Sequence, residues 1–476
     1  MGIDLGTQSV KVLAVADDGR VLREGRAPLS SVRDGVRHEQ DPQAWWGAVR
    51  DAARAAGDLS DAEALAVCGT SGTIVLTDAA GAPVSPGIMY DDARGAEVVS
   101  EVNAVGAEVW AELGYGSMQS SWALPTFVAM LRDRDDAHRI RLSHQADFIV
   151  ARLAGHPVPA DLSNALKSGA DAIRGRWPSS VMAALGVPQE VLPGLIRPGD
   201  VVATVSSSAA EATGLPVGIP IIAGMTDGCA AQLGAGAVAP GDWNSTLGTT
   251  LVLKGATAEL VRDPGGGAYS HPAPAGGWFL GGASSSGAGV LSRVLPGADL
   301  GELTVQAQLL PRRTVGYPLS SERGERFPFV ASAATAFWGV SGDAALFDSM
   351  LRGCAAIERL CFDYLDLLGA PVDGRVTITG GATANEYWNR LRATTLGRPV
   401  AIPASTEAAM GMAVLAAAAT RGLAAASADM VVLDQTIYPD DDPTVLDGYL
   451  TLIDELERRD WLPPTTAAHA RLRAAA

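Results

Sequence analysis

Long apolar runs are missing from this chain of 476 residues. Every hydrophobic stretch is cut by Gly, Thr or a charge well before the ~20 residues that a membrane-crossing helix needs, so no membrane association is expected. No signal peptide fits either, because a strand pattern begins at the first residue. The chain reads as soluble and cytoplasmic. Positive charge is scarce too: 36 basic against 53 acidic residues give a net charge of −17, without any basic block. Phosphate-backbone binding draws on clustered Lys and Arg, so nucleic acid is not an expected partner. An acidic chain that binds an anion must do so locally, through backbone N–H groups, a metal or a few placed cations. Cysteine is limited to Cys68, Cys229, Cys354 and Cys361, with no Cys-x-x-Cys and no zinc spacing, so buried free thiols are expected. Lysine is the rarest charged residue: Lys11, Lys167 and Lys254 are the only three. Lys and Arg differ in geometry and hydration, so a lysine kept against such a bias points to a task.

The usual reactive signatures are also absent. There is no Walker A loop, no Rossmann Gly-x-Gly-x-x-Gly, no His-Glu-x-x-His and no Gly-x-Ser-x-Gly. What remains is an alternation of strand-like and helix-like stretches, which argues for an α/β chain, too long for one hydrophobic core. The opening MGIDLGTQSVKVLAVADDGRVL reads as a strand, a turn and a second strand, followed after the tip Asp17–Gly19 by a third. A helix is expected over Pro42–Ala56, with Asp41 as N-cap and Pro42 in the first helical position. Helical patterns fill much of Ala93–Leu153. Gly and Pro cluster over Gly214–Pro220, so a division into residues 1–218 and 219–476 is expected. Beyond it the opening theme recurs weakly, with IPIIAGM running to Asp227-Gly228 and a later strand to Gly248-Thr249-Thr250. EAAMGMAVLAAAATRG reads as a closely packed Ala-rich helix, and the tail from residue 430 as less regular, with one helix near Tyr449–Arg459.

Three glycine–hydroxyl turns stand at strand ends: Gly6-Thr7-Gln8, Gly69-Thr70-Ser71-Gly72-Thr73 and Gly248-Thr249-Thr250. Turns of this kind aim N–H groups and hydroxyls at one point and form anion-binding concavities. Asp4 and Asp227 stand beside them. An acid four residues from the start, inside core β-structure, does not belong to an ordinary reversing turn, which favours Asn-Gly or Asp-Gly at its tip.

These features together resemble the FGGY family of carbohydrate kinases, and within it the pentulose kinases. The resemblance spans roughly Gly2–Gly422 and is carried by GIDLGTQSVK, EQDPQAWW, YDDAR, GMTDGCAAQLGAG, STLGTTLVLK, GERFP and GGATANEYWNRLRA. It implies a two-domain α/β fold of the actin/hexokinase (ribonuclease H-like) ATPase type with a central cleft. It implies ATP and Mg²⁺ as cofactors, a small sugar as acceptor and, commonly, a homodimer. By the same resemblance Asp227 is the general base, and Asp4 orients Mg²⁺ through waters. Gly6, Thr7, Gln8 and Lys11 would sit against the γ-phosphate, and Gly248, Thr249 and Thr250 would hold the polyphosphate from the other domain. Gly380, Gly381 and Asn385 would form the adenosine-binding turn and helix start. Thr70, Ser71, Gly72, Tyr90, Asp92 and Lys167 would line the sugar site.

The chain departs from the xylulose kinase pattern at the sugar turn. Many of those kinases read Ser-Gly-Gln-Met-His-Gly where this chain has CGTSGTI, a Trp precedes the Asn-Asp pair where this chain has Tyr90-Asp91-Asp92, and a Lys-x-x-Trp segment is missing from SSWALPTFVAML. A stacking wall and a side-chain donor are therefore expected to give way to hydroxyls and backbone. Together with DLSNALKSG, these differences resemble a D-ribulose kinase branch, so D-ribulose is favoured as the acceptor, with D-xylulose or another polyol such as glycerol as alternatives. A non-catalytic, actin-like ATP switch is the rival from a different class.

Overall fold

In the computed structural model, which describes residues 1–132, 134–310 and 314–475, the opening acid is explained by its neighbours in a sheet. The strand Gly2–Leu5 pairs antiparallel with Ser9–Val15 and parallel with Leu65–Gly69, which puts Lys11 and Cys68 opposite Asp4 on either side. Side chains alternate along a strand, so Gly2 and Asp4 share one face. A Cβ on Gly2 would stand 1.8 Å from the carbonyl oxygen of Ala409, which shows how closely the helix Ala408–Arg421 crosses that face. The Ala-rich sequence of that helix serves this approach, as the composition implies.

The first sheet has six strands in the order Val201–Thr204, Pro220–Ile222, Leu65–Gly69, Gly2–Leu5, Ser9–Val15 and Val21–Pro28. A second sheet of seven strands repeats its central plan. There Trp243–Leu247 pairs antiparallel with Leu251–Thr257 and parallel with Val376–Thr379, which in turn pairs with Val400–Pro403. The expected internal duplication is thus a repeat of whole sheets. A five-stranded satellite sheet in the first half includes Arg37–Gln40 and Ile74–Thr77.

The division expected after residue 218 is displaced. Pro220–Ile222 pairs in parallel with Leu65–Gly69, and Thr226 still bridges to Gly69, so this strand and its extension belong to the first sheet. Asp227 therefore emerges from the same strand-end edge as Asp4, and does not open the second half. The chain then crosses to the second half after the helix Asp227–Gly234. That helix packs against Ala408–Arg421 through glycines: a Cβ on Gly411 would fall 1.8 Å from the Ala230 carbonyl oxygen.

The helix Pro42–Ala56 forms as its sequence implies, with the Asp41 side chain accepting from Gln43 N. The tail is more regular than expected. It adds an edge strand, Leu433–Ile437, and two helices, Pro443–Arg458 and Pro464–Ala475, whose Tyr449, Leu452, Ile453 and Leu456 join the core of the second half. All four cysteines are buried and free. Among the described residues no helix is long and apolar enough to cross a membrane.

Candidate active site

Parallel strands bind ligands beyond their carboxyl ends, and three such ends come together in the first half. Leu5 leads into Gly6-Thr7, Gly69 into Thr70-Ser71-Gly72, and the stretch through Thr226 into Asp227. Each turn is held from behind. Gln40 donates from Nε2 to the Thr7 carbonyl at 2.7 Å and accepts from Trp45 Nε1 at 2.6 Å, which gives the EQDPQAWW segment its physical meaning. Gln145 Oε1 accepts from both Thr70 N and Thr70 Oγ1 at 2.9 Å. Thr70 is thereby committed to the frame of the turn, whereas the Ser71 hydroxyl has no partner.

Asp4 and Asp227 face each other electrostatically. Burial first, and the Asp227 carboxylate second, push the Asp4 carboxyl up to about 6; the Cys68 thiol, donating at 3.4 Å, and Lys11 oppose the shift. Asp227 is also raised, chiefly by burial. The Gly228 N–H at 2.7 Å, then Lys167 and Lys254, then the Ser71 N–H pull it back. All three lysines of the chain therefore surround these two acids. Lys11 was expected at the phosphate; here it pairs with Glu407 at 2.8 Å and Glu24 at 3.2 Å, and a phosphate would have to displace one of them.

Asp92 is engaged by its own loop and its neighbour strand. Its side chain is 0% exposed. One oxygen accepts from Arg94 N and Nε, the other from His38 N and Arg94 Nη2, at 2.8–3.0 Å, so its lone pairs are filled. It shapes the loop that carries Tyr90. Tyr90 is 41% exposed, lies within hydrogen-bonding reach of Thr7 and feels the Asp227 charge, as a cleft-facing side chain should.

Two aromatic side chains stand beside Lys167. Trp122, within SSWALPTFVAML, packs edge-on to Tyr269 from the second sheet at 5.4 Å between ring centres. The Lys167 ammonium lies 5.8 and 5.9 Å from their centres and donates to the Ser71 carbonyl at 3.1 Å. Tyr269, Lys254 and Glu407 come from the second half, and the sequence motifs did not single out Trp122, Tyr269, Gln145 or Glu407. Only Lys254 carried a signal, as one of three lysines.

In the second half, Gly380 with φ 92° packs against Leu247, just before Gly248, so the two turns are neighbours. A cavity of about 770 Å³ opens beside them, lined by Gly381, Ala382 and Asn385 together with Ala288, Leu291 and Thr304. This volume suits a nucleoside. Asn385 caps the helix Glu386–Leu396 by accepting from Trp388 N, and its amide donates to Thr304 Oγ1 at 2.8 Å, joining two walls of the cavity. Thr249 is exposed, and Gly248 and Thr250 partly so.

Two family models match this chain: the N-terminal domain of the FGGY family of carbohydrate kinases over residues 1–234, and its C-terminal domain over residues 245–420. The chain belongs to the FGGY family of carbohydrate kinases. It is an ATP-dependent sugar kinase. The boundary between the two family domains falls after the helix Asp227–Gly234, where the chain leaves the first sheet. The chain is 29% identical over 447 residues to a xylulose kinase of Streptomyces coelicolor, covering 90% of this chain and 89% of that protein. Its fold is similar to the crystal structure of a xylulose kinase from Rhodospirillum rubrum, with a TM-score of 0.84, 25% identity and coverage of 96% and 99%. A glycerol kinase from Plasmodium falciparum, solved with ADP, shares the fold at a TM-score of 0.85, 17% identity and coverage of 96% and 97%. The fold is thus common to kinases named for different acceptors.

Among the described residues, no group of three or more His, Cys, Asp or Glu side chains could hold a metal ion by itself. Mg²⁺ in kinases is held by one or two carboxylates, waters and substrate phosphates. Asp4 fits that use: its one side-chain hydrogen bond is from a thiol, and Asp227 and Glu407 add negative charge around it.

Proposed function

We propose that this kinase phosphorylates the terminal hydroxyl of a ketopentose, with Asp227 as general base and D-ribulose as the favoured acceptor. The observation that carries the reading is the convergence of Asp4, Asp227 and the open Ser71 turn on one edge of the first sheet. The acceptor hydroxyl gives its proton to Asp227 as its oxygen attacks the γ-phosphorus and the bond to ADP breaks. Ionised Asp227 is favoured by the N–H groups of Gly228 and Ser71 and by two lysines. A magnesium ion beside Asp4 would neutralise phosphate charge, since phosphoryl transfer asks the protein mainly for alignment and charge neutralisation. The Gly6-Thr7 and Gly248-Thr249-Thr250 turns would hold the phosphates from the two halves, and Gly381 with Asn385 the adenosine. Closure of the halves would exclude water and limit idle ATP hydrolysis.

D-ribulose and D-xylulose differ only in the configuration at C3, so the choice rests on the groups that meet that hydroxyl. Support for D-ribulose comes from the hydroxyl-rich CGTSGTI turn, from Tyr90 and from Lys167, where xylulose kinases carry other residues. D-xylulose is the second reading, favoured by the name of the Streptomyces coelicolor relative and by its coverage of both chains. The test is ADP release with D-ribulose, D-xylulose, glycerol and no acceptor. The highest kcat/KM on D-ribulose supports the first reading and the highest on D-xylulose the second; turnover indifferent to any acceptor removes both.

A further inference from the structure

A histidine outside the sequence motifs stands at the same end of the molecule. His271 lies on the strand Ala268–Pro272 of the second sheet and is 1% exposed. Lys254, Gly281 and Tyr269 stand in register across Leu251–Thr257, Trp278–Ala283 and this strand. Side chains alternate along a strand, so His271 shares the face of Tyr269, and the two rings lie 5.4 Å apart. Gly281 clears that face: a Cβ there would stand 3.2 Å from Lys254 Nζ. The face turns toward the first half, where Trp122 meets Tyr269 and a Cβ on Gly228 would stand 2.8 Å from Lys254 Cε.

The ring is held from the first half by Ser163, in the short helix Leu162–Ala165. Nδ1 stands 3.1 Å from both the carbonyl oxygen and the hydroxyl oxygen of Ser163. A carbonyl oxygen only accepts, so Nδ1 carries the proton and Nε2 the bare lone pair. Burial first, then Lys254 and Lys167, push the ring well below the usual histidine range, so it stays neutral. The Ser163 hydroxyl oxygen also accepts, at 3.3 Å, from the N–H of Thr226, the residue directly before Asp227. His271, Ser163 and the strand end that carries Asp227 thus form one chain of contacts between the two halves. Among the described residues Nε2 has no hydrogen-bond partner, yet it is not sealed in as the unpartnered Nε2 of His38 is.

Lys167 and Lys254 act on both His271 and Asp227, so all four share one region. Lysines offer donors alone. A polyol also brings hydroxyl protons, and one buried without an acceptor is costly. We propose that His271 is a specificity-determining residue of the acceptor site: its Nε2 accepts a hydrogen bond from a secondary hydroxyl of the sugar, while Nδ1–H, fixed on Ser163, sets the ring relative to Asp227. This rests on the kinase reading with Asp227 as base. A ring locked in that tautomer takes a donating hydroxyl and disfavours an acceptor that presents a keto oxygen or no oxygen in its place.

The test separates the two ring nitrogens. An asparagine amide reaches only as far as Nδ1, and a glutamine amide as far as Nε2. Kinetics with D-ribulose and D-xylulose, read by ADP release, should show His271→Asn raising the KM of the better pentulose roughly 10- to 100-fold, the scale of one buried hydroxyl left unpaired, with the KM for ATP kept within about twofold. His271→Gln should recover at least ~5-fold of that loss. In the wild type with isotopically labelled histidine, the nitrogen resonance of unprotonated Nε2, assigned by its absence from either variant, should move upfield when the same pentulose is added. A pentulose KM in His271→Asn within about twofold of the wild type, equal rises in KM for pentulose and ATP, or an Nε2 resonance that saturating pentulose leaves in place overturns the assignment. Turnover of a pentulose with an unmoved Nε2 removes this assignment alone. A wild type that turns over neither pentulose removes the ketopentose reading and this assignment with it.

Discussion

Lys11 Nζ stands 2.8 Å from a carboxylate oxygen of Glu407, an ion pair that ties the second strand of the first sheet to the start of the helix Ala408–Arg421. With Glu24 on its other side, the lysine is engaged by two acids next to Asp4. Partly exposed pairs of this kind are worth about 0–1 kcal/mol, little enough for a triphosphate to compete. Lys11→Met should raise the KM for ATP by roughly 3- to 10-fold, and Glu407→Gln should lower it by up to ~5-fold. Steady-state kinetics at varied ATP check this. An unchanged KM in both variants would make the lysine a strut only.

Asp227→Asn removes the proposed proton acceptor and keeps the shape. The turnover number should fall ~10²- to 10⁴-fold, the usual contribution of general base catalysis. Nucleotide affinity, measured by calorimetry, should stay within about threefold, because the cavity proposed for the adenosine is lined wholly by residues of the second half. Retained turnover would take the base role away from Asp227.

The raised Asp4 carboxyl gives a pH signature. Between its ordinary 3.8 and about 6, the folded state holds a proton that the unfolded chain has released. Stability from this group therefore falls as pH rises through that window and is constant above it. Asp4→Asn should raise the Tm by about 2–6 °C near pH 8, with the gain vanishing near pH 4. If Asp4 holds the magnesium ion as proposed, kcat/KM for ATP in the wild type should rise with pH to an inflection near 6, where the acid ionises. An inflection that persists in Asp4→Asn belongs to another group.

Arg392 and Glu358 form a fully buried pair with contacts of 2.7 and 2.8 Å, and Arg392 also reaches the Ser245 carbonyl, in the strand that ends at the Gly248 turn. Leaving one charge of such a pair unpaired costs about 3–5 kcal/mol. Glu358→Gln should lower the urea midpoint accordingly and weaken ATP binding more than acceptor binding. A neutral effect on stability would mean that the arginine finds another partner.

Much of the site was legible along the chain because its turns are local. Gly6-Thr7, Thr70-Ser71-Gly72, Gly248-Thr249-Thr250 and Gly380-Gly381 stand at strand ends, and a strand followed by a glycine turn can be read within ten residues. The bonding of Asp92 within its loop was not legible, because a carboxylate beside an arginine gives the same letters whether it faces a ligand or fills its lone pairs within the loop. The tail was underread because its strand is an edge and its helices are amphipathic only relative to a core contributed by distant segments.

The sequence by itself determined the strand–turn–helix units, the position of each acid at the end of a strand and the shortage of cations that makes backbone turns the anion holders. Only the tertiary structure decided that Asp227 shares an edge with Asp4, because parallel pairing of Pro220–Ile222 with Leu65–Gly69 joins segments some 150 residues apart. The contact of Trp122 with Tyr269 and the gathering of the lysines about the two acids were decided there too. The shared edge joins distant segments of the first half, whereas Tyr269, Lys254 and Glu407 are brought in from the second, and no local pattern encodes either kind of neighbour.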